Sequence, residues 1–296
     1  MKRQQILVAG TGVLLLLALY FFGQTNPPQK KPDAAVSGAP GAPIVKSIGL
    51  QDILQAAQAR LTPAQSSYVN KVQASVVRGD VKMQQLNAYR QLASFWADSV
   101  KDGFLLYAYY TGEAAKLENR EKSLTFAAQL FLQSLRGQDN PALKSWMATN
   151  AKELFEKALE LNPDNDSTKV GLGASYIFGS TSGAPTETMQ GIQRILEVAH
   201  RDSTNMYAQF MLALGGIESG QFDKAIERLT TVVRHQPANI DAILLLAEVH
   251  QQTGNKADAI KWYETAKKLI GNQEMVHEID QRIQSLKGAS SAPGGN

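Results

Sequence analysis

From Met206 to Gln273 the apolar and small residues fall into two consecutive blocks of 34 residues that align without a gap. The first block holds Leu212, Ala213, Gly220, Ala225, Leu229, Val232 and Pro237; the second holds Leu246, Ala247, Gly254, Ala259, Tyr263, Ala266 and Gly271. In each block a helical run precedes the glycine and a second one follows it. That spacing predicts a unit of two helices joined by a tight turn, repeated along the chain.

The same periodicity extends upstream. Leu50, Ile53, Leu54, Ala57 and Leu61 lie on one face of a predicted helix. Thr62 and Pro63 read as an N-cap and the first residue of a second helix, with Val69, Val72, Val76 and Val77 on its apolar face. Arg78–Gly79–Asp80 breaks that helix, and Asp80 is placed to cap a third, which presents Met83, Leu86, Tyr89, Leu92, Ala93, Trp96 and Val100. The triplet reads as a turn rather than as an adhesion signal. Phe104 to Tyr110 is apolar nearly all round and predicts burial on most sides. Tyr107, Tyr109 and Tyr110 could form a ligand-binding aromatic cluster, but packing between helices is the simpler reading.

Leu124, Ala127, Ala128 and Phe131 then repeat the apolar, small, small, aromatic spacing of a first helix. Ala151, Phe155, Ala158 and Pro163 supply the matching second helix, with an insertion around Arg136 to Ser145 that predicts a loop or a lengthened helix end. Leu172, Gly173 and Tyr176 open another unit, closed by Gly191, Ile195 and Val198 after the stretch from Gly179 to Pro185. That glycine- and hydroxyl-rich stretch lacks the Gly-Lys-Ser/Thr ending of a phosphate cradle and follows no predicted strand, so it reads as a long turn. After Gly271, Met275, Ile279, Ile283 and Leu286 line one face of a last helix whose other face is charged, the pattern of a cap on a repeat stack.

On these residues the chain resembles the tetratricopeptide repeat (TPR) family. The resemblance implies an all-α helix–turn–helix solenoid, a right-handed superhelix, with the first helices of the units lining a concave face. Small residues let the paired helices approach, and a proline ends the second helix. Gly216 in place of the family's tyrosine and Leu229 in place of its aromatic depart from the pattern but keep small and apolar character.

Hydropathy also marks the start of the chain. Lys2 and Arg3 precede the uncharged run Ile6 to Phe22, long enough as a helix to span roughly 25 Å. Tyr20, Phe21 and Phe22 suit a membrane interface, and the positive residues before the span place the N-terminus in the cytoplasm. Residues 1–23 are thus predicted to be a signal-anchor transmembrane helix. A cleaved signal peptide is the alternative, though only Gly23 and Thr25 offer a weak cleavage match. Residues 24–47, rich in Pro, Ala and Gly, form a predicted flexible linker reaching roughly 30–75 Å. The expected plan continues with an N-terminal helical region at 48–119, a TPR array of about four units at 120–273, a capping helix at 274–287 and a disordered tail at 288–296.

Composition narrows the chemistry. A net charge of +3 over 296 residues, with no Lys/Arg block longer than two, argues against nucleic-acid binding. The chain has no cysteine, which removes disulfides, thiolate metal sites and a cysteine nucleophile. His200, His235, His250 and His277 make no metal-binding spacing, and no nucleophile motif occurs; His250 replaces a core tyrosine of the repeat and reads as a satisfied structural residue. No enzyme activity, cofactor, metal or small-molecule substrate is expected.

The resemblance instead implies a groove for another protein or peptide segment. Its positions map to Ser167, Val170, Ala174 and Ile177, then to Tyr207, Phe210, Leu214 and Ile217, then to Asp241, Leu244, Glu248 and Gln251. The Lys and Asn clamp with which some relatives hold a terminal carboxylate is missing. An apolar or amphipathic segment is the expected ligand, unless the chain's own N-terminal helices occupy the surface. The expected role is a scaffold, chaperone-like or assembly factor, tethered outside the cytoplasmic membrane in a periplasmic or extracytoplasmic space. The alternative is a regulatory component signalling through its span.

Overall fold

The computed structural model describes residues 47–78, 81–180 and 185–288, which lie in the second of the two units into which the chain divides, Val45–Asn296. These residues form thirteen helices and no strand. Helices α1 (Leu50–Gln58), α2 (Pro63–Arg78), α3 (Lys82–Asp98) and α4 (Phe104–Glu118) come first. They are followed by α5 (Glu121–Leu135), α6 (Pro141–Leu161), α7 (Asp166–Gly179), α8 (Pro185–Arg201) and α9 (Met206–Glu218). The series ends with α10 (Phe222–His235), α11 (Ile240–Gln252), α12 (Lys256–Lys267) and α13 (Gln273–Gly288).

Local chemistry starts and stops these helices. Thr62 and Gln65 exchange the two bonds of a capping box at the head of α2: the Gln65 amide donates to Thr62 Oγ1 at 3.3 Å and the Thr62 amide to Gln65 Oε1 at 2.9 Å. Asn165, Asn205 and Asn239 each accept a backbone N–H three residues on, at 3.0–3.1 Å, and so open α7, α9 and α11. Gly220 and Gly254, one repeat apart, take φ of +72° and +81° in the turns between paired helices, a conformation that costs L-residues strain. Helix α3 is headed by Val81, which has no capping side chain, and Asp80, predicted as that cap, lies outside the described residues.

Helices pack in chain order. The pairs α3/α4, α5/α6, α7/α8, α9/α10 and α11/α12 each lie side by side, and every pair leans on the next. The first helix of one pair also touches the first helix of the following one at α5/α7 and α7/α9. A repeat of two short helices cannot hide its apolar face alone, and stacking joins those faces into a core that runs along the array. Trp96, Phe131, Phe155, Leu229 and Tyr263 are fully buried landmarks of that core. The insertion after Leu135 is both things foreseen for it: a short loop, and an α6 lengthened at its N-terminus, where Asn140 caps and Pro141 takes the first position.

Three predicted apolar positions are in fact exposed: Met83, Phe104 and Met275. Each sits in the first turn of its helix. At the far end α13 lays Ile279, Ile283 and Leu286 against α12 and Ile243 of α11, covering the last apolar face. Among the described residues no helix is long and apolar enough to cross a membrane; the predicted anchor at 1–23 lies outside them.

Candidate functional site

The residues singled out as a groove divide into three groups. Val170, Ala174 and Ile177 of α7 and Leu214 of α9 are buried. Tyr207, Phe210, Ile217 and Leu244 are half-buried, and Ser167, Asp241, Glu248 and Gln251 are exposed. Beyond Ser167 the face of α7 is therefore not open surface, and three of its four predicted positions are core.

The cause is the small side chains on α7. A β-carbon on Gly173 would stand 2.6 Å from Ile195 Cγ1 and 2.7 Å from the Gly191 carbonyl oxygen, so α7 and α8 touch backbone to backbone. Gly171 lies so close to the Phe155 ring of α6 that a β-carbon there would overlap it. With α7 drawn in on both sides, α5 and α9 meet across its front. Gln129 Nε2 of α5 donates to the Tyr207 hydroxyl of α9 at 3.1 Å. Burial pushes the Tyr207 phenol up, and the bond from Gln129 offsets part of that shift. The covering is thus done by the neighbouring first helices, whereas α1, α2 and α3 pack onto one another and α4.

A second bond set ties the heads of α5 and α7. The Glu121 carboxylate accepts from Thr125 Oγ1 at 2.9 Å, Asn165 Nδ2 at 2.7 Å and Thr168 Oγ1 at 3.3 Å. Thr168 is fully buried, so these bonds satisfy a hydroxyl that would otherwise be costly to enclose. Nothing in the spacing of the sequence distinguishes this glutamate from a solvated one.

At the acidic end of the predicted groove, Glu248 is already engaged. Arg282 Nη1 of α13 lies 3.3 Å from Glu248 Oε1 and donates to the Tyr263 hydroxyl at 3.3 Å. That hydroxyl donates to Gln251 Oε1 at 2.9 Å. Glu248 and Arg282 are 34 residues apart, so α13 stands where the first helix of another unit would stand. Of the predicted residues, the half-buried apolar group on α9 and α11, with exposed Asp241 beside it in sequence, is what remains for a ligand.

Chemistry beyond binding finds little footing. Among the described residues no three His, Asp or Glu side chains gather to hold a metal ion. His235 Nδ1 bonds to the Thr231 carbonyl at 2.9 Å and His277 Nε2 to Gln281 at 3.0 Å. His250 departs from its expected state: its Nδ1 is buried without a hydrogen-bond partner. The tyrosine cluster is core. Tyr109 stacks on Trp146 with centroids 6.1 Å apart, Gln73 Nε2 donates to Tyr110 at 3.0 Å, and burial raises both phenols.

The sequence model of the tetratricopeptide repeat family matches residues 216–283, and a second model of that family matches 148–165. Among curated proteins nothing matches the chain. Several solved structures are similar. PilW, described as a widely conserved type IV pilus biogenesis factor, is 19% identical with a TM-score of 0.44, covering 70% of this chain and 96% of its own. YrrB, described as a TPR protein with an unusual peptide-binding site, is 14% identical with a TM-score of 0.39, over 74% of this chain and 98% of its own. MamA from Desulfovibrio magneticus RS-1 is 17% identical with a TM-score of 0.38, over 72% of this chain and 99% of its own. The chain carries tetratricopeptide repeats, recognised at 148–165 and 216–283.

Proposed function

We propose that this protein is a non-enzymatic scaffold that holds another polypeptide, tethered by residues 1–23 outside the cytoplasmic membrane as an assembly or chaperone-like factor of an envelope complex. The observation that carries the binding role is the row of half-buried apolar side chains Tyr207, Phe210, Ile217 and Leu244 on the first helices of successive repeats. Stacked helix pairs offer such a row to an extended or helical segment without needing a catalytic group. Support for the tether comes from the uncharged run Ile6 to Phe22 behind Lys2 and Arg3.

Crosslinking in intact cells, with the captured partner identified by mass spectrometry, tests the binding role. Phe210→Ala with Ile217→Ala is expected to abolish capture while far-UV circular dichroism stays unchanged. Tyr207→Phe, which removes only a hydroxyl, serves as the milder variant. Capture undiminished by both variants would reject the surface. For the tether, the intact chain is expected in the membrane fraction and a chain lacking residues 1–23 in the soluble one; recovery of the intact chain as soluble would reject it.

A further inference from the structure

A different channel lies upstream of the matched repeats, between α3 and α5, with α4 as its floor. Two cavities lie along it, sharing two lining residues. One, of about 470 Å³, is lined by Ala93, Ala97, Asp98, Ala114, Ser123 and Phe126 among others. The other, of about 510 Å³, is lined by Val81, Lys82, Met83, Leu86, Leu117 and Arg120. Arg90 and Glu118 belong to both and form the saddle between them.

Three features set this channel apart from ordinary surface. Its walls carry exposed large apolar side chains at both ends: Val81 at 49%, Met83 at 59% and Phe126 at 53% exposure. Single exposed apolar residues are commonplace, but several along one concavity mark a place where something docks. The saddle is already satisfied. Glu118 accepts from Arg90 Nη2 at 2.8 Å and from Ser123 Oγ at 2.6 Å, and the bond from Ser123, with the nearby Arg90, holds its carboxyl below the usual range.

The charge of the channel is polarised. At the Met83 end Lys82 and Arg120 flank the cavity; neither makes a salt bridge among the described residues, although Arg120 is near enough to Glu118 to help hold that carboxyl low. At the Phe126 end the extra charge is Asp98, which accepts from Ser94 Oγ at 3.0 Å. Between Met83 and Ala97 helix α3 rises about 21 Å, the reach of about six extended residues. Ala114 and Ala115 keep the α4 floor low and Ala93 and Ala97 keep the α3 wall shallow, leaving room for side chains that reach down.

We propose that the channel between α3 and α5 docks an acidic polypeptide segment, with apolar side chains seated beside Met83 and Phe126 and carboxylates over Lys82 and Arg120. This rests on the reading of the chain as a holder of polypeptides, but it assigns a second surface and the chemistry of its ligand. Complementary charge sets the direction in which the segment lies, and the apolar anchors supply the hold.

The test uses the full chain and synthetic fluorescein-labelled peptides of about ten residues, read by fluorescence anisotropy. One peptide carries Leu and Phe near its two ends with Asp and Glu at one end; a second replaces the acids by Lys, and a third scrambles the order. The acidic peptide is expected to bind, more weakly as NaCl is raised, and the basic one to fail. Phe126→Ser, at an exposed site, and Lys82→Glu with Arg120→Glu are each expected to weaken binding roughly tenfold or more, whereas Phe210→Ala is expected to leave it unchanged. Equal binding of acidic and basic peptides, indifference to Phe126→Ser, or no binding by any peptide overturns the proposal. Binding lost on Phe210→Ala but not on Phe126→Ser would overturn it while leaving the scaffold reading intact. Binding that appears only after residues 1–46 are removed would put the chain's own N-terminal segment in the channel, and that also overturns it.

Discussion

Gly173 and Gly191 bring α7 and α8 together backbone to backbone: a β-carbon on Gly173 would stand 2.7 Å from the Gly191 carbonyl oxygen, and one on Gly191 would strike the Gly173 carbonyl oxygen. Neither neighbour is a flexible side chain that can swing away. Gly191→Ala is therefore expected to push the helices apart and to cost about 2–3 kcal/mol, the usual penalty of an overfilled core. Thermal unfolding checks this. An unchanged midpoint would mean that the two backbones tolerate separation.

The turn glycines make a cleaner comparison, because open space surrounds them. Gly254 has φ of +81° and no atom within 4 Å of a built β-carbon, while Gly271 has the same freedom without a positive φ. Gly254→Ala is expected to cost about 1 kcal/mol through backbone strain alone. Gly271→Ala is expected to be neutral or slightly stabilising. Urea midpoints of the two variants, measured side by side, should differ in that direction.

Alkaline pH should unfold this protein through its phenols. Burial is the first cause of the raised values of Tyr109, Tyr110 and Tyr207, all above the ordinary phenol value of 10.0. An acid whose folded pKa is raised holds its proton more tightly when folded. The stability it contributes is complete below the unfolded value and is lost as pH rises through the folded one. Midpoints of unfolding are therefore expected to fall above about pH 10. Tyr109→Phe should soften that fall.

At the C-terminal end, polar and apolar contributions are separable. Glu248 and Arg282 are 48% and 50% exposed, so solvent screens their pairing, and Arg282→Ala is expected to cost less than about 1 kcal/mol. Ile283 is buried in the face that α13 turns to the array, and Ile283→Ala is expected to cost about 2–4 kcal/mol. Hydrogen exchange should show the loss first in α12 and α13. A larger effect from Arg282 than from Ile283 would reverse the assignment.

The repeat was legible because its physics is local. Ala225 and Ala259 occupy matched positions where the paired helices meet, and both are fully buried. Gly220 and Gly254 recur because the turn between those helices demands a left-handed residue. The state of α7 was not legible. Val170, Ala174 and Ile177 carry the spacing of groove positions, yet their exposure depends on how closely α5 and α9 approach each other, which no single helix encodes. The ties from Glu121 to Thr168 and from Glu248 to Arg282 were hidden for a related reason, since each joins residues more than thirty positions apart. The α3–α5 channel escaped notice because Met83 fitted an apolar face, and only the three-dimensional arrangement leaves it uncovered.

In a stack where each unit meets only its neighbours, fraying can proceed from either end one unit at a time. The bond between Gln129 and Tyr207 spans 78 residues and skips a whole unit. It ties the unit before α7 directly to the unit after it, so a C-terminal truncation that removes α9 is expected to cost the unit holding α5 about 1 kcal/mol as well, although the two are not sequence neighbours.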